Sequence, residues 1–144
     1  MKWPLIILAV FVSVPLLFFF GGKVYYALVV NERVTKELSD DPHGARADIV
    51  MLLTFPDGRQ LPVNYLREGD QVFAGADGSW WKDFRDGNTP VKVLIKGEEL
   101  SGRARTVLDD PDYTRDVFTR LRPNVPKWLP DWLNAYLIVI DLNE

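Results

Sequence analysis

The chain begins with a long apolar segment. From Trp3 to Gly22 there are twenty consecutive residues without a charged side chain. At about 1.5 Å of rise per residue they would form a helix of roughly 30 Å, the thickness of a hydrocarbon core. Trp3 at one end and Tyr25 with Tyr26 at the other are placed like interfacial aromatic residues. The pattern predicts a single-pass transmembrane anchor over residues 1–30.

A cleaved signal peptide is the alternative interpretation, because it also begins with a short basic segment, here Lys2. Residues 21–27 offer no clear small-x-small cleavage site, and this favours retention of the anchor. Lys23, Arg33 and Lys36 follow the apolar run. Three basic residues therefore lie on this side of the span and one, Lys2, on the other. Under the positive-inside rule, this difference slightly favours a cytoplasmic location for the rest of the chain.

Short segments bounded by turn residues follow a charged connector over residues 31–48, whose Asp40, Asp41, Pro42 and Gly44 are expected to break any helix. The segments are apolar or alternating and are typical of strands. A short helix is predicted from Ser79 through Phe84, and a second one after the start at residues 110–112. The predicted strands are residues 49–55, 60–67, 71–76, 91–96, 100–108 and 135–142.

The order of the elements is thus three strands, a helix, two strands, a helix and one strand. Short strands, few helices and only partial alternation of polar and apolar positions favour an α+β fold. We predict a small six-stranded curled sheet or barrel with one or two covering helices. The domain boundaries follow as an anchor over 1–30, a connector over 31–48 and the barrel over 49–144.

Composition narrows the functional classes. With 144 residues, of which 47% are hydrophobic, the chain can bury one core. The absence of cysteine excludes disulfides, thiolate metal sites and a cysteine nucleophile. Residues 31–144 carry 15 basic and 20 acidic residues, a formal charge of −5. An acidic domain lacks the basic field that attracts nucleic acid or anionic headgroups, so nucleic acid is not an expected partner.

Residues that could carry catalysis are sparse. The single histidine, His43, lies in an Asp-Asp-Pro-His-Gly turn. A zinc site of the usual kind therefore lacks ligands, and a serine triad would need a suitably placed serine near His43. The carboxylates are scattered over turns, where turn and capping preferences explain them. We assign no catalytic residue and no metal ligand.

Residues 74–88, AGADGSWWKDFRDGN, form the most informative segment. The N–H groups of a helix start are expected to point outward, where a phosphate is stabilised. Two tryptophans offer flat faces for a ring, and two bases add positive charge. The other interpretation is that the tryptophans fill the core while the bases are solvated. The candidate cofactor contacts are Asp77, Gly78, Ser79, Trp80, Trp81, Lys82 and Arg85.

Four stretches resemble the deazaflavin-dependent nitroreductase family, a relative of the FMN-binding split barrels. The resemblance covers about residues 47–142, and a tryptophan-containing helix followed by Asn88, Pro90 and a Val-x-Val strand is its most distinctive feature. The stretches are IVMLLT (49–54), VNYLREGDQV (63–72), GADGSWWKDFRDGNTPVKV (75–93) and GRARTVLDDPDYTRDVF (102–118).

The resemblance implies a split β-barrel that binds deazaflavin (coenzyme F-420) or FMN and transfers hydride to a quinone-like or nitro acceptor. Because the cofactor carries the redox chemistry, no acid–base residue is required of the protein. The resemblance adds Arg59 to the cofactor contacts, Tyr65 as a substrate contact, and a homodimer as an expected assembly. The expected partners at the membrane are the lipid bilayer and a lipophilic quinone.

Two loops are shorter here than in that family. The hairpin turn at residues 56–60 keeps Arg59 but has no lysine or hydroxyl beside it, and the loop before the tryptophans is also shortened. The alternative is therefore a non-catalytic split barrel that serves as an accessory or interaction module of a membrane complex.

Overall fold

The computed structural model describes residues 3–25, 30–130 and 135–143. The chain forms two compact units, Met1–Lys36 and Glu37–Glu144. Helix α1 (Trp3–Tyr25) covers the apolar run. In the described part of the chain, no helix combines the length and the apolar character that a membrane crossing requires. The transmembrane anchor therefore stays a prediction.

Helix α2 (Asn31–Asp40) lies within the segment that was expected to be a non-helical connector. The expectation was wrong because Pro42 and Gly44 follow the last helical residue, so they end the helix rather than prevent it. Leu38 near its end is only 4% exposed. A 3-10 helix (Ala45–Asp48) then leads into the first strand.

Six antiparallel strands of the described chain close into a barrel in the order β1-β2-β3-β6-β5-β4, with β4 pairing back to β1. A 3-10 helix (Ser79–Phe84) follows β3, and helix α3 (Pro111–Leu121) follows β5. The predicted α+β barrel with covering helices is confirmed. The strands are β1 (Val50–Thr54), β2 (Gln60–Glu68), β3 (Gln71–Ala76), β4 (Thr89–Ile95), β5 (Glu98–Val107) and β6 (Tyr136–Leu142).

Tight turns set the register of two hairpins. Between β4 and β5, Lys96 and Gly97 both have positive φ, 49° and 80°, as a type I′ turn requires. Between β2 and β3, Gly69 has φ 61° at the first central position of a two-residue turn. In these hairpins the turn residues fix which side chains face the interior.

Strand β6 is apolar on both faces because two layers cover it. Ile138 and Ile140 point into the barrel interior, where they join the main core. Leu137 and Val139 point outward and pack with Val117 of α3. Alternation along a strand sends successive side chains to opposite faces, so only a strand buried on both sides reads as a continuous apolar run.

Gly102 of β5 provides a test of the closure by β6. A Cβ at Gly102 would lie 2.7 Å from the carbonyl oxygen of Asp141 and 2.9 Å from a methyl carbon of Ile140. We expect Gly102→Ala to lower the free energy of unfolding by about 1–3 kcal/mol in urea denaturation, because β6 must shift. Gly78→Ala is the control, since its Cβ would meet only Trp80, at 3.5 Å. Equal losses in the two variants would contradict the observed pairing.

Candidate functional site

Three aromatic rings pack together where the 3-10 helix Ser79–Phe84 meets the barrel. Phe84 is fully buried and stacks on Phe55, with ring centroids 5.3 Å apart and planes 12° apart. Trp80 contacts both rings edge-on at 6.0 Å. Such pairs contribute about 0.5–1.5 kcal/mol each beyond their buried area. Trp80, which is half-buried, therefore packs against the core.

Trp81 packs against the same core as Trp80 and also contacts a different ring. Its ring stacks on Tyr136 of β6, with centroids 4.1 Å apart and planes 25° apart. Its carbonyl oxygen accepts a 2.7 Å hydrogen bond from the Thr106 hydroxyl. The Lys82 ammonium lies 5.8 Å from the Trp81 ring centroid. Because Tyr136 is 43% exposed, this stacked pair presents aromatic surface to solvent.

Three cations were predicted to contact the cofactor. One of them forms an ion pair, and the other two have no carboxylate partner among the described residues. Arg59 pairs with Asp83 at 2.7 Å and lies over the Phe55 ring, 4.2 Å from its centroid. This contact brings Arg59 to the 3-10 helix, and the Asp83 carboxylate balances its charge there. Lys82 and Arg85 pair with no carboxylate in the part of the chain that the structure describes, although the Arg85 Nε donates to the Lys82 carbonyl oxygen at 3.3 Å.

Asp77 is engaged by Arg122, which follows α3. Two guanidinium nitrogens donate to its two carboxylate oxygens at 3.0 and 2.9 Å. Arg122 also lies over the Phe118 ring, 5.5 Å from its centroid. Bidentate pairs of this kind fix both partners in one geometry. Asp77 therefore fastens the end of α3 to the end of β3, and its negative charge is offset.

The backbone before the tryptophans forms a short 3-10 helix of six residues. Gly78 precedes it in extended conformation and makes no side-chain capping hydrogen bond. A helix this short has a smaller dipole than an α-helix, whose N-terminus was the predicted phosphate site. The predicted phosphate cradle at Gly78, Ser79 and Trp80 stays a prediction, and the nearby cations are its stronger component.

Tyr65 does not join this segment. Its hydroxyl donates a 2.9 Å hydrogen bond to the carbonyl oxygen of Ala47, which precedes β1, whereas Phe55 and the aromatic cluster follow β1. Five strand residues span roughly 15 Å, so Tyr65 and the cluster lie at opposite ends of β1. A Lys96–Asp48 ion pair of 3.1 Å lies near Tyr65 instead.

A groove of about 430 Å³ lies between α3 and the adjoining ends of β5 and β6. Tyr136 is in its lining, so the groove begins where the Trp81–Tyr136 stack ends. Sequence reasoning missed Tyr136 because nothing in its strand pattern indicated a partner 55 positions earlier. Among the described residues, no group of three carboxylate or histidine side chains could hold a metal ion.

Comparison with known proteins identifies the fold. No family model and no curated protein matches the chain. The solved structure of a candidate pyridoxamine 5′-phosphate oxidase from Listeria innocua is similar, with a TM-score of 0.55 and 16% identity over 77% of this chain and 94% of that one. The barrel thus has the split-barrel fold.

Two further solved structures are less similar. An FAD-binding protein from Mesorhizobium loti has a TM-score of 0.47 and 17% identity over 75% of this chain and 88% of that one. An F-420 reductase has a TM-score of 0.40 and 13% identity over 67% of this chain and 87% of that one. At these identities the likeness concerns the fold, and function has to be argued from the site.

Tyr65 gives a testable pH dependence. Burial raises the pKa of Tyr65 above its ordinary 10.0; the Lys96 charge opposes this shift, and the Asp48 charge adds to it more weakly. The fold favours the neutral phenol, so this stabilisation is complete below about pH 10 and is lost as pH rises through the folded pKa. We expect wild-type stability to fall more steeply than that of Tyr65→Phe between about pH 9 and 11 in urea denaturation. Parallel curves would contradict the assignment.

Proposed function

We propose that the chain is a membrane-anchored oxidoreductase that uses a flavin or deazaflavin cofactor. The observation that carries the proposal is the Lys82 ammonium 5.8 Å from the ring centroid of Trp81, which stacks on Tyr136, with Arg85 donating to the Lys82 carbonyl oxygen. A flavin-type cofactor presents a flat ring and an anionic chain. Aromatic faces and cations without carboxylate partners are the groups that would bind these two parts.

The residues of this surface fit such a cofactor. Lys82 and Arg85 would hold the phosphate, and Arg59 would join them if released from Asp83. Asp77 does not oppose an anion strongly because Arg122 offsets its charge. When bound, the cofactor supplies hydride transfer, and the protein contributes binding, orientation and exclusion of water. Trp81 would provide the ring contact, whereas Trp80 is used in the core.

The anchor and acceptor are parts of the same proposal. The apolar run of residues 3–22 would hold the domain at the cytoplasmic face of a bilayer. Lipophilic quinones dissolve in that bilayer, so a quinone-like acceptor fits this location better than a polar one, and a nitro compound is the other acceptor class. A homodimer is the assembly we expect.

A non-catalytic split-barrel module is the second candidate, and one observation favours it. Arg59 and Asp77 are both engaged in ion pairs within the protein, with Asp83 and Arg122. If these pairs persist in solution, two of the predicted cofactor contacts serve the fold alone. The domain would then act as an accessory part of a membrane complex.

Cofactor titration distinguishes the two candidates. We expect FMN or coenzyme F-420 to bind the full-length protein at submillimolar concentration, measured by quenching of cofactor fluorescence. Arg85→Ala should weaken binding about tenfold to a hundredfold, as for a lost charged hydrogen bond. Asp83→Asn should strengthen binding, because it releases Arg59. Arg67→Ala is the matched control, since Arg67 donates to the Gly69 carbonyl oxygen in another turn.

Failure of both cofactors to bind would remove the oxidoreductase proposal and leave the accessory module. Binding that is insensitive to Arg85→Ala and Asp83→Asn would place the cofactor elsewhere on the barrel. Neither result depends on knowing the acceptor.

Membrane attachment is tested separately by fractionation. We expect the full-length protein to stay in the membrane pellet after carbonate extraction and to need detergent for release, because twenty uncharged residues favour insertion. A chain without residues 1–30 should appear in the soluble fraction. Recovery of the full-length protein without detergent, or a mature N-terminus beyond Lys23, would contradict the anchor.

A further inference from the structure

The groove between α3 and the barrel has an apolar floor and an apolar rim. Val107 and Leu137 of the floor are 9% and 0% exposed, and Phe118 of α3 forms a wall. At the rim, Leu108 is 54% exposed and Tyr136 is 43% exposed. Large apolar side chains beside a groove of about 430 Å³ are typical of ligand sites, which range from about 300 to 1,000 Å³.

The two charged side chains in the lining are both engaged at the start of α3. The Asp110 carboxylate accepts from the Tyr113 backbone N–H at 3.1 Å, which caps α3. The Arg115 guanidinium donates to Asp112 at 3.3 Å. A phosphate in the groove would therefore lie near Arg115, whose charge Asp112 offsets, and near the negative Asp110. The surface at Lys82 and Arg85 instead offers two cations without a carboxylate partner among the described residues. The groove favours a neutral ligand over an anionic one.

One polar side chain in the lining, Thr114, is available to donate a hydrogen bond to a ligand. The Thr114 hydroxyl lines the groove and makes no side-chain hydrogen bond within the described part of the chain. It lies one turn into α3 and is half-buried. A hydroxyl at this position can donate to a carbonyl oxygen of a ligand, while the Tyr136 ring offers a stacking face.

We propose that this groove binds a neutral, flat, carbonyl-bearing ring of the quinone class, with its ring against Tyr136 and a carbonyl oxygen accepting from Thr114. In the proposed function this ligand is the hydride acceptor, and only that role rests on the proposed function. Binding itself requires no cofactor. The Trp81–Tyr136 stack makes this site adjacent to the proposed cofactor surface.

The test uses 2-methyl-1,4-naphthoquinone and full-length protein in micelles at fixed detergent concentration, with saturation-transfer NMR as the readout. We expect a dissociation constant below about 1 mM and clearly weaker binding of the sulfonated naphthoquinone, since the groove favours neutral ligands. Leu108→Glu should weaken binding by about tenfold or more, and Thr114→Val by about fivefold, because each removes one contact. Ile49→Glu is the control for Leu108→Glu, since Ile49 is equally exposed, at 58%, outside the groove lining.

Binding that Leu108→Glu and Ile49→Glu reduce equally, or tighter binding of the sulfonated ring, would overturn the site. Absence of saturable binding would do the same. The outcome is independent of the flavin titration, because the quinone is measured without a cofactor. A protein that binds quinone in the groove but no flavin retains this inference and loses the proposed oxidoreductase activity.

Discussion

Closure of the barrel by its last strand is the constraint on which the other features depend. β6 pairs with β3 on one side and with β5 on the other, so one edge of each of these strands stays unpaired until residues 136–142 are in place. Its interior side chains complete the main core, and its outer ones give α3 a surface to pack on. The start of β6 also sets Tyr136 against Trp81, which joins the proposed cofactor surface to the groove.

The same side chains serve stability and the candidate site. Arg122 fastens the end of α3 to Asp77, and Arg120 reaches Glu68 at the end of β2 with a distance of 3.0 Å. Pairs this exposed contribute about 0–1 kcal/mol each, so their effect is to position α3 more than to stabilise the fold. Since α3 forms one wall of the groove, its position determines the width of the groove.

Local signals account for what the sequence could predict of the fold. Gly69 and Gly97 mark tight turns whose chemistry requires positive φ, and the strands on either side of them were predicted within two residues. Helix α2 was missed because the breakers at Pro42 and Gly44 were taken to act on the whole connector. Breakers act only on the residues next to them, and the helix that ends before Pro42 carries the buried Leu38.

The candidate site was less predictable because its geometry comes from distant pairs. Asp77 and Arg122 are 45 residues apart, and Trp81 lies even further from Tyr136 in sequence. Single-residue chemistry predicted Trp81, Lys82 and Arg85 as cofactor contacts, and this role stays a prediction. It could not indicate that Asp77 and Arg59 would find ion-pair partners, or that Tyr65 would bond to Ala47 at the other end of β1.

The central claim is that this split barrel holds a redox cofactor beside the Trp81–Tyr136 stack. The most direct measurement is mass spectrometry of the small molecules that acid releases from full-length protein purified from its native membrane, with a buffer-matched blank. We expect a flavin or deazaflavin in near-stoichiometric amount, and its loss when Lys82 and Arg85 are both replaced by alanine. A native preparation that releases neither molecule would contradict the claim.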